Sequence, residues 1–86
     1  MQAIIGKHTK DQARKRGITE EGIMAILNEM PVIFKQSNHD PDAIIVLGVY
    51  EGKVWAVILN HITKHTITVR RAWTKEEKYY DEKKRN

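Results

Sequence analysis

Two apolar runs separated by a two-residue connection constrain this chain more than anything else in it. Ala43-Ile44-Ile45-Val46-Leu47-Gly48-Val49-Tyr50 is the first, and the stretch from Lys53 to Leu59 is the second, with only Glu51-Gly52 between them. A strand with one wet face alternates apolar and polar residues. A strand covered on both faces reads as a continuous apolar run. Glycine in so short a connection marks a hairpin. The two runs are therefore the central strands of a sheet with material on both faces. The rest of an 86-residue chain has to supply that material, and at this length one modest core is all that can be built. Hydrophobic content of 41% and charged content of 30% suit a globular chain and argue against disorder.

The flanks fall into elements around that hairpin. Val32-Ile33-Phe34 reads as a first strand and Thr66 to Ala72 as a last one, with a turn-rich loop over Ser37-Asn38-His39-Asp40-Pro41-Asp42 and a polar turn over 60–65. In the last strand, alternation sets Thr66, Thr68 and Arg70 on one face and Ile67, Val69 and Arg71 on the other. His8 to Arg16 is a short basic helix ended by Gly17, while Ile4 and Ile5 form a short strand or cover the core. Thr19 is the N-cap of a second helix, whose Ile23, Ile26, Leu27 and Met30 make one apolar stripe before Pro31 stops it. Thr74 with Glu77 three residues on is a capping box that opens a third helix, Lys75 to about Lys83. Consecutive strands on short loops make an antiparallel meander. The expected class is α+β: N-terminal helices, a four-stranded antiparallel meander sheet and a C-terminal helix, in one domain over residues 1–86.

The net charge of +4 is unevenly placed. Near the start, Lys7, Lys10, Arg14, Lys15 and Arg16 face Asp11 alone; the middle is acidic; the last quarter is basic again. If the two basic ends meet in the fold, they make one electropositive face for a polyanion. The chain has no cysteine, so neither a disulfide nor a thiolate metal site holds it together, which fits a reducing, cytoplasmic setting. It has no eighteen-residue apolar run, and its first residues do not read as a signal peptide, so no membrane is expected.

No glycine-rich phosphate loop, nucleophile elbow or cysteine nucleophile is present. His61 and His65 lie in a hairpin turn without a supporting carboxylate and read as exposed turn residues; no metal and no cofactor is expected. Arg70 and Arg71 at a strand end suit phosphate oxygens, and period-two geometry allows one of them to reach a substrate, Arg70 being assigned to the less buried face. A salt bridge to Glu76 or Glu77 is the structural alternative. His8, among cations that disfavour its charged form, is the candidate general base for a ribose 2′-hydroxyl. Tyr80 shares a helix face with Glu76 and offers a ring to a base or a hydroxyl to a leaving oxygen; core packing of Tyr79 or Tyr80 is the alternative. Trp55 reads as core, and Trp73 as packing at the strand-to-helix corner.

These residues resemble a known family. Ile67-Thr68-Val69-Arg70-Arg71-Ala72, followed by Glu76 and Tyr80, is similar to the C-terminal signature of BrnT-type toxins: Ile-Ser-Ala-Arg-x-Ala, then Glu four and Tyr eight residues past the alanine. Val46-Leu47-Gly48 with Gly52 and the following strand resembles the family's central hairpin. Lys15-Arg16-Gly17-Ile18-Thr19 resembles its Lys-His-Gly-Val-Ser. His8 with Arg16-Gly17-Ile18 also resembles a related small-domain family. Where the toxins carry an arginine shortly before the central strand's glycine, this chain has Asp42-Ala43. The resemblance implies a RelE-like fold and a metal-independent endoribonuclease that blocks translation, with RNA as substrate and a cognate antitoxin as inhibitor and route to oligomers. It marks Arg70, Glu76 and Tyr80. The expected catalytic set is then His8, Arg70, Arg71, Glu76 and Tyr80, with Lys7, Lys10, Arg14, Lys15 and Arg16 on the RNA backbone. A non-catalytic RNA- or protein-binding domain of the same fold, or the toxin domain of a larger secreted effector, is the competing expectation.

Overall fold

The computed structural model describes residues 2–36 and 40–84. The elements are α1 (Lys7–Arg16), α2 (Glu20–Asn28), β1 (Val32–Gln36), β2 (Ala43–Tyr50), β3 (Lys53–Asn60), β4 (Thr66–Arg71) and α3 (Thr74–Lys84). The strands form one antiparallel sheet in chain order, β1-β2-β3-β4. This is the expected α+β meander, with the two apolar runs as its inner strands.

Both sheet faces are covered, as the continuous runs require. On one face Val46, Trp55, Val57, Leu59 and Val69 pack against Ala13 of α1, Ile18, and Ile23, Ile26 and Leu27 of α2. On the other, Leu47, Val54 and Ala56 lie under α3, with Phe34, Ala72, Tyr79 and Tyr80 packed around them. Each fully buried Val, Leu or Ile contributes about 1.5–3 kcal/mol. Phe34 and Tyr79 meet edge to face at 5.0 Å. The far end of α3 is tied down by Lys84 Nζ, which donates to the Met30 carbonyl at 2.7 Å. Among the described residues no helix is long and apolar enough to cross a membrane.

Local chemistry explains the helix limits. Gly17 takes a left-handed φ of 84° and closes α1, with its N–H and that of Ile18 donating to the Ala13 carbonyl. The Thr19 hydroxyl accepts from the Gly22 N–H, the expected N-cap of α2. Two glycines permit close approach of α2 to the sheet. A Cβ on Gly48 would stand 2.7 Å from Ile26 Cγ2, and one on Gly22 would stand 2.8 Å from the Tyr50 ring.

Four expectations are corrected. The apolar stripe of α2 does not reach Met30, because the helix ends at Asn28 and Met30, at a φ of 51°, is 77% exposed. The β3–β4 register shifts between Ile58 and Leu59, so Thr66 pairs with Leu59 and turns inward to the α1 side, while Ile67 is thrown outward. Thr66 therefore does not share a face with Thr68 and Arg70, because an extra residue in one strand flips the alternation beyond it. The third helix starts at Thr74, so Trp73 is its cap residue, and the side chain that reaches back is Glu76, one position earlier than the expected Glu77. Ile4 forms only an isolated parallel bridge to His65. Of the turn over 37–42, residues 37–39 lie outside those described; the remainder shows Asp40 Oδ1 accepting from the Asp42 N–H.

Candidate nucleic-acid interface

The basic helix α1 lies along the edge strand β4, on the same side of the sheet as α2. At its start, the Gly6 N–H donates to Thr66 Oγ1 at 3.0 Å. At its other end the chain turns through Gly17-Ile18 to Thr19, whose hydroxyl is 3.3 Å from the Tyr50 hydroxyl. Tyr50 closes β2 at the hairpin, and its carbonyl accepts from the indole of Trp55, the β3 residue that pairs with Arg71. So α1 begins beside the first residue of β4 and ends at the level of its last. Thr9 and Ala13 are its buried residues, and the remaining positions carry the charge.

Lys7, His8, Lys10, Arg14, Lys15 and Arg16 are all exposed. Their internal partners are weak. Lys10 lies 3.9 Å from Glu20, Arg14 lies 3.8 Å from Asp11, and Arg16 donates to the neutral Gln12 Oε1. Solvent-exposed pairs of this kind contribute little. Arg14, Lys15 and Arg16 in the last turn also suit the negative end of the helix dipole.

The hairpin end of the sheet gathers more cations. Arg71 is exposed at the end of β4, its guanidinium 5.6 Å from the Trp55 ring centroid and hence on the α1 side. The Ala72 N–H donates to the Val54 carbonyl, which extends the pairing one residue beyond Arg71, and exposed Lys53 precedes Val54 at the start of β3. Exposed Glu20, Glu21 and Glu51 stand at the same end as counter-charges. Of the arginines in the basic last quarter, Arg71 thus shares the α1 side of the sheet with the basic helix, while α3 lies on the other face.

Arg70 behaves differently. Its side chain is 15% exposed, and it meets Glu76, 2% exposed, in a two-pronged pair of 2.7 and 2.9 Å. Glu76 Oε1 also accepts from the Trp73 N–H at 2.8 Å. The Trp73 ring covers the Arg70 guanidinium at 3.6 Å. Burial pushes the Glu76 carboxyl up, but the bonds from Arg70 and the Trp73 amide, with the Arg70 charge, outweigh it and hold the carboxyl below its ordinary value. The cluster is a clamp joining β4 to α3. Arg70, assigned from alternation to the less buried side, is the more buried of the two arginines.

The expected catalytic set is not gathered in one place. His8 is exposed at the Thr66 end of β4, and Arg71 lies five strand residues further on, roughly 16 Å at the usual rise per residue. Arg70, Glu76 and Tyr80 lie on the opposite, α3 side of the sheet. Tyr80 is half-buried, and burial, with a contribution from the Asp81 charge, pushes its phenol pKa up, away from the range useful for delivering a proton. Trp55 is core as expected, whereas Trp73 is 63% exposed rather than packed into the corner. Lys53 and Trp73 are exposed residues at this end of the sheet that no motif in the sequence marks. Their only advance signals are the short hairpin, which sets Lys53 at the start of β3, and a tryptophan at a cap position. His61 and His65 are exposed, as turn residues should be.

Comparison of the chain with models of protein families, with curated proteins and with solved structures gives no match.

Proposed function

We propose that this chain is an RNA-binding domain that grips the sugar-phosphate backbone along α1 and across the hairpin end of the sheet. One observation supports this most: α1 spans the length of β4 and brings exposed Arg14, Lys15 and Arg16 to the end of the sheet where exposed Arg71 and Lys53 stand. A line of cations with weak internal partners, on rigid elements, is what a polyanion requires. RNA is the polyanion favoured because residues 67–80 resemble the ribonuclease toxins. Binding is favoured over cleavage because the one candidate base and the free guanidinium lie at opposite ends of β4.

A second reading is supported by that same resemblance. In it the chain is a RelE-like, metal-independent endoribonuclease toxin, and an antitoxin covers the basic face. The ribose 2′-oxygen would attack phosphorus and the 5′-oxygen would leave with a proton, giving a 2′,3′-cyclic phosphate. Arg71, rather than Arg70, would then neutralise the phosphate.

Fluorescence anisotropy with a labelled RNA oligonucleotide, followed by gel analysis of the same RNA, tests both. The expected result is salt-sensitive binding, weakened at least tenfold in the Arg14→Glu/Arg16→Glu variant, with the RNA intact. Cleavage products with cyclic phosphate ends, lost in His8→Ala, would favour the second reading. Absence of binding at low salt would overturn the proposal.

A further inference from the structure

We propose that the outward face of Trp73 is a stacking platform for one unpaired base of single-stranded RNA. The inference rests on the RNA-binding reading above and adds what it lacks, a means of preferring single strands.

Isolated exposed apolar side chains are normal on small proteins, and Ile4, Met30 and Ile62 are examples here. Trp73 differs from them in being both exposed and held. The Arg70 guanidinium lies 3.6 Å beneath its ring. Glu76 fixes that guanidinium through two bonds and takes the backbone N–H of Trp73 itself through a third. One face of the indole is thus occupied and the ring 63% open to solvent. A ring fixed in this way loses little rotamer freedom when a second flat group stacks on it. Capping does not explain the residue either, since the position that opens α3 favours Ser, Thr, Asp or Asn.

The surroundings fit a nucleotide. Arg71 lies two residues before Trp73 and Lys75 two residues after it, and Lys53 precedes Val54, whose carbonyl accepts from the Ala72 N–H; all three cations are exposed. Arg70 and Arg71 point to opposite faces of an edge strand. A single strand that stacks a base on Trp73 therefore passes around the end of β4, past Arg71, to the last turn of α1. A duplex, whose bases are already stacked, cannot use the ring in this way. Stacking on an aromatic ring tolerates any base, so the expected preference is for single strands and not for a sequence.

The test measures anisotropy with two labelled six-residue oligomers, one of adenylate and one with the same ribose-phosphate chain but no bases. Wild type, Trp73→Phe and Trp73→Ala are compared after thermal melting has checked that each is folded. The expected wild-type preference for the base-bearing oligomer is about thirtyfold, the middle of the range for one stacked base. Trp73→Phe should keep most of it. Trp73→Ala should bind both oligomers equally, at the wild-type affinity for the abasic one. A wild type that binds both oligomers equally, or a preference that survives in Trp73→Ala, overturns the platform while leaving backbone binding in place. A wild type that binds neither overturns the RNA-binding reading and the platform together.

Discussion

On the α3 side of β4, the Arg70 guanidinium is 15% exposed, bonded twice to Glu76 and covered by an indole. On the α1 side, Arg71 is exposed at the end of β4, 5.6 Å from the Trp55 ring, on the face that carries a helix rich in Lys and Arg. The two residues are adjacent in sequence and have the same side chain, yet one ties a strand to a helix and the other is open to a ligand. What separates them is the supply of partners. A buried cation must be matched within the fold, whereas an exposed one, weakly paired, keeps its charge for something outside.

Removing the Arg70 partner should give the largest effect. Glu76→Ala strands a mostly buried guanidinium and leaves the Trp73 N–H without its acceptor, so urea denaturation should show a loss of about 3–5 kcal/mol. Arg71→Ala, measured in the same way, should stay within about 0.5 kcal/mol of wild type. Equal losses in the two variants would erase the contrast between the faces.

The α1 side is sharpened by charge reversal. Arg14→Glu/Arg16→Glu puts two acids at the negative end of the α1 dipole and should cost about 1–2 kcal/mol in urea denaturation, less than Glu76→Ala. It should flatten the dependence of log affinity on log salt by about 0.7 for each phosphate the variant no longer neutralises. A smaller effect concerns the underside of the same helix. Thr9 is fully buried and its hydroxyl has no hydrogen-bond partner. Thr9→Val removes that unmet group in nearly the same volume and should raise stability by about 1 kcal/mol. A loss instead would mean that the hydroxyl is satisfied in solution.

The subtlest contrast is in pH. Glu76 has a folded pKa below its ordinary 4.5. Its stabilising contribution is therefore complete above 4.5, falls as pH drops through the interval down to the folded value, and is gone below it. Glu76→Gln should be less stable at neutral pH and show a shallower acid decline than wild type. Parallel pH curves would show that the pair is not what acid breaks.

Part of this was legible in the residues and part was not, for physical reasons. The inner strands declared themselves because burial on both faces demands unbroken apolar runs. Thr19 and Gly17 declared themselves because caps have few chemical solutions. The faces of Arg70 and Arg71 were assigned by counting, and counting gives no exposure: the arginine on the face judged less buried is the one that Glu76 and Trp73 cover. For Thr66 the count itself failed, because the shift between Ile58 and Leu59 breaks the alternation, and a one-residue slip reverses every side chain beyond it. Glu76 and Glu77 compete for the same cap, and the choice between them depends on where the strand stops. The corner position of Trp73 follows from the sequence, but its exposure depends on a neighbour that fills one ring face and leaves the other open. Gly22 and Gly48 have no local signature, since the groups they admit, the Tyr50 ring and Ile26, come from distant parts of the chain.

The most direct measurement is a titration of the amide spectrum with single-stranded RNA, since it reports position and not affinity alone. The signals of residues 14–17, 53 and 71–75, with the Trp73 indole, should shift together. The loop over 60–65, at the other end of the sheet, should stay still. Shifts concentrated on that loop and on His8, or none at all at low salt, would contradict an RNA surface at the hairpin end.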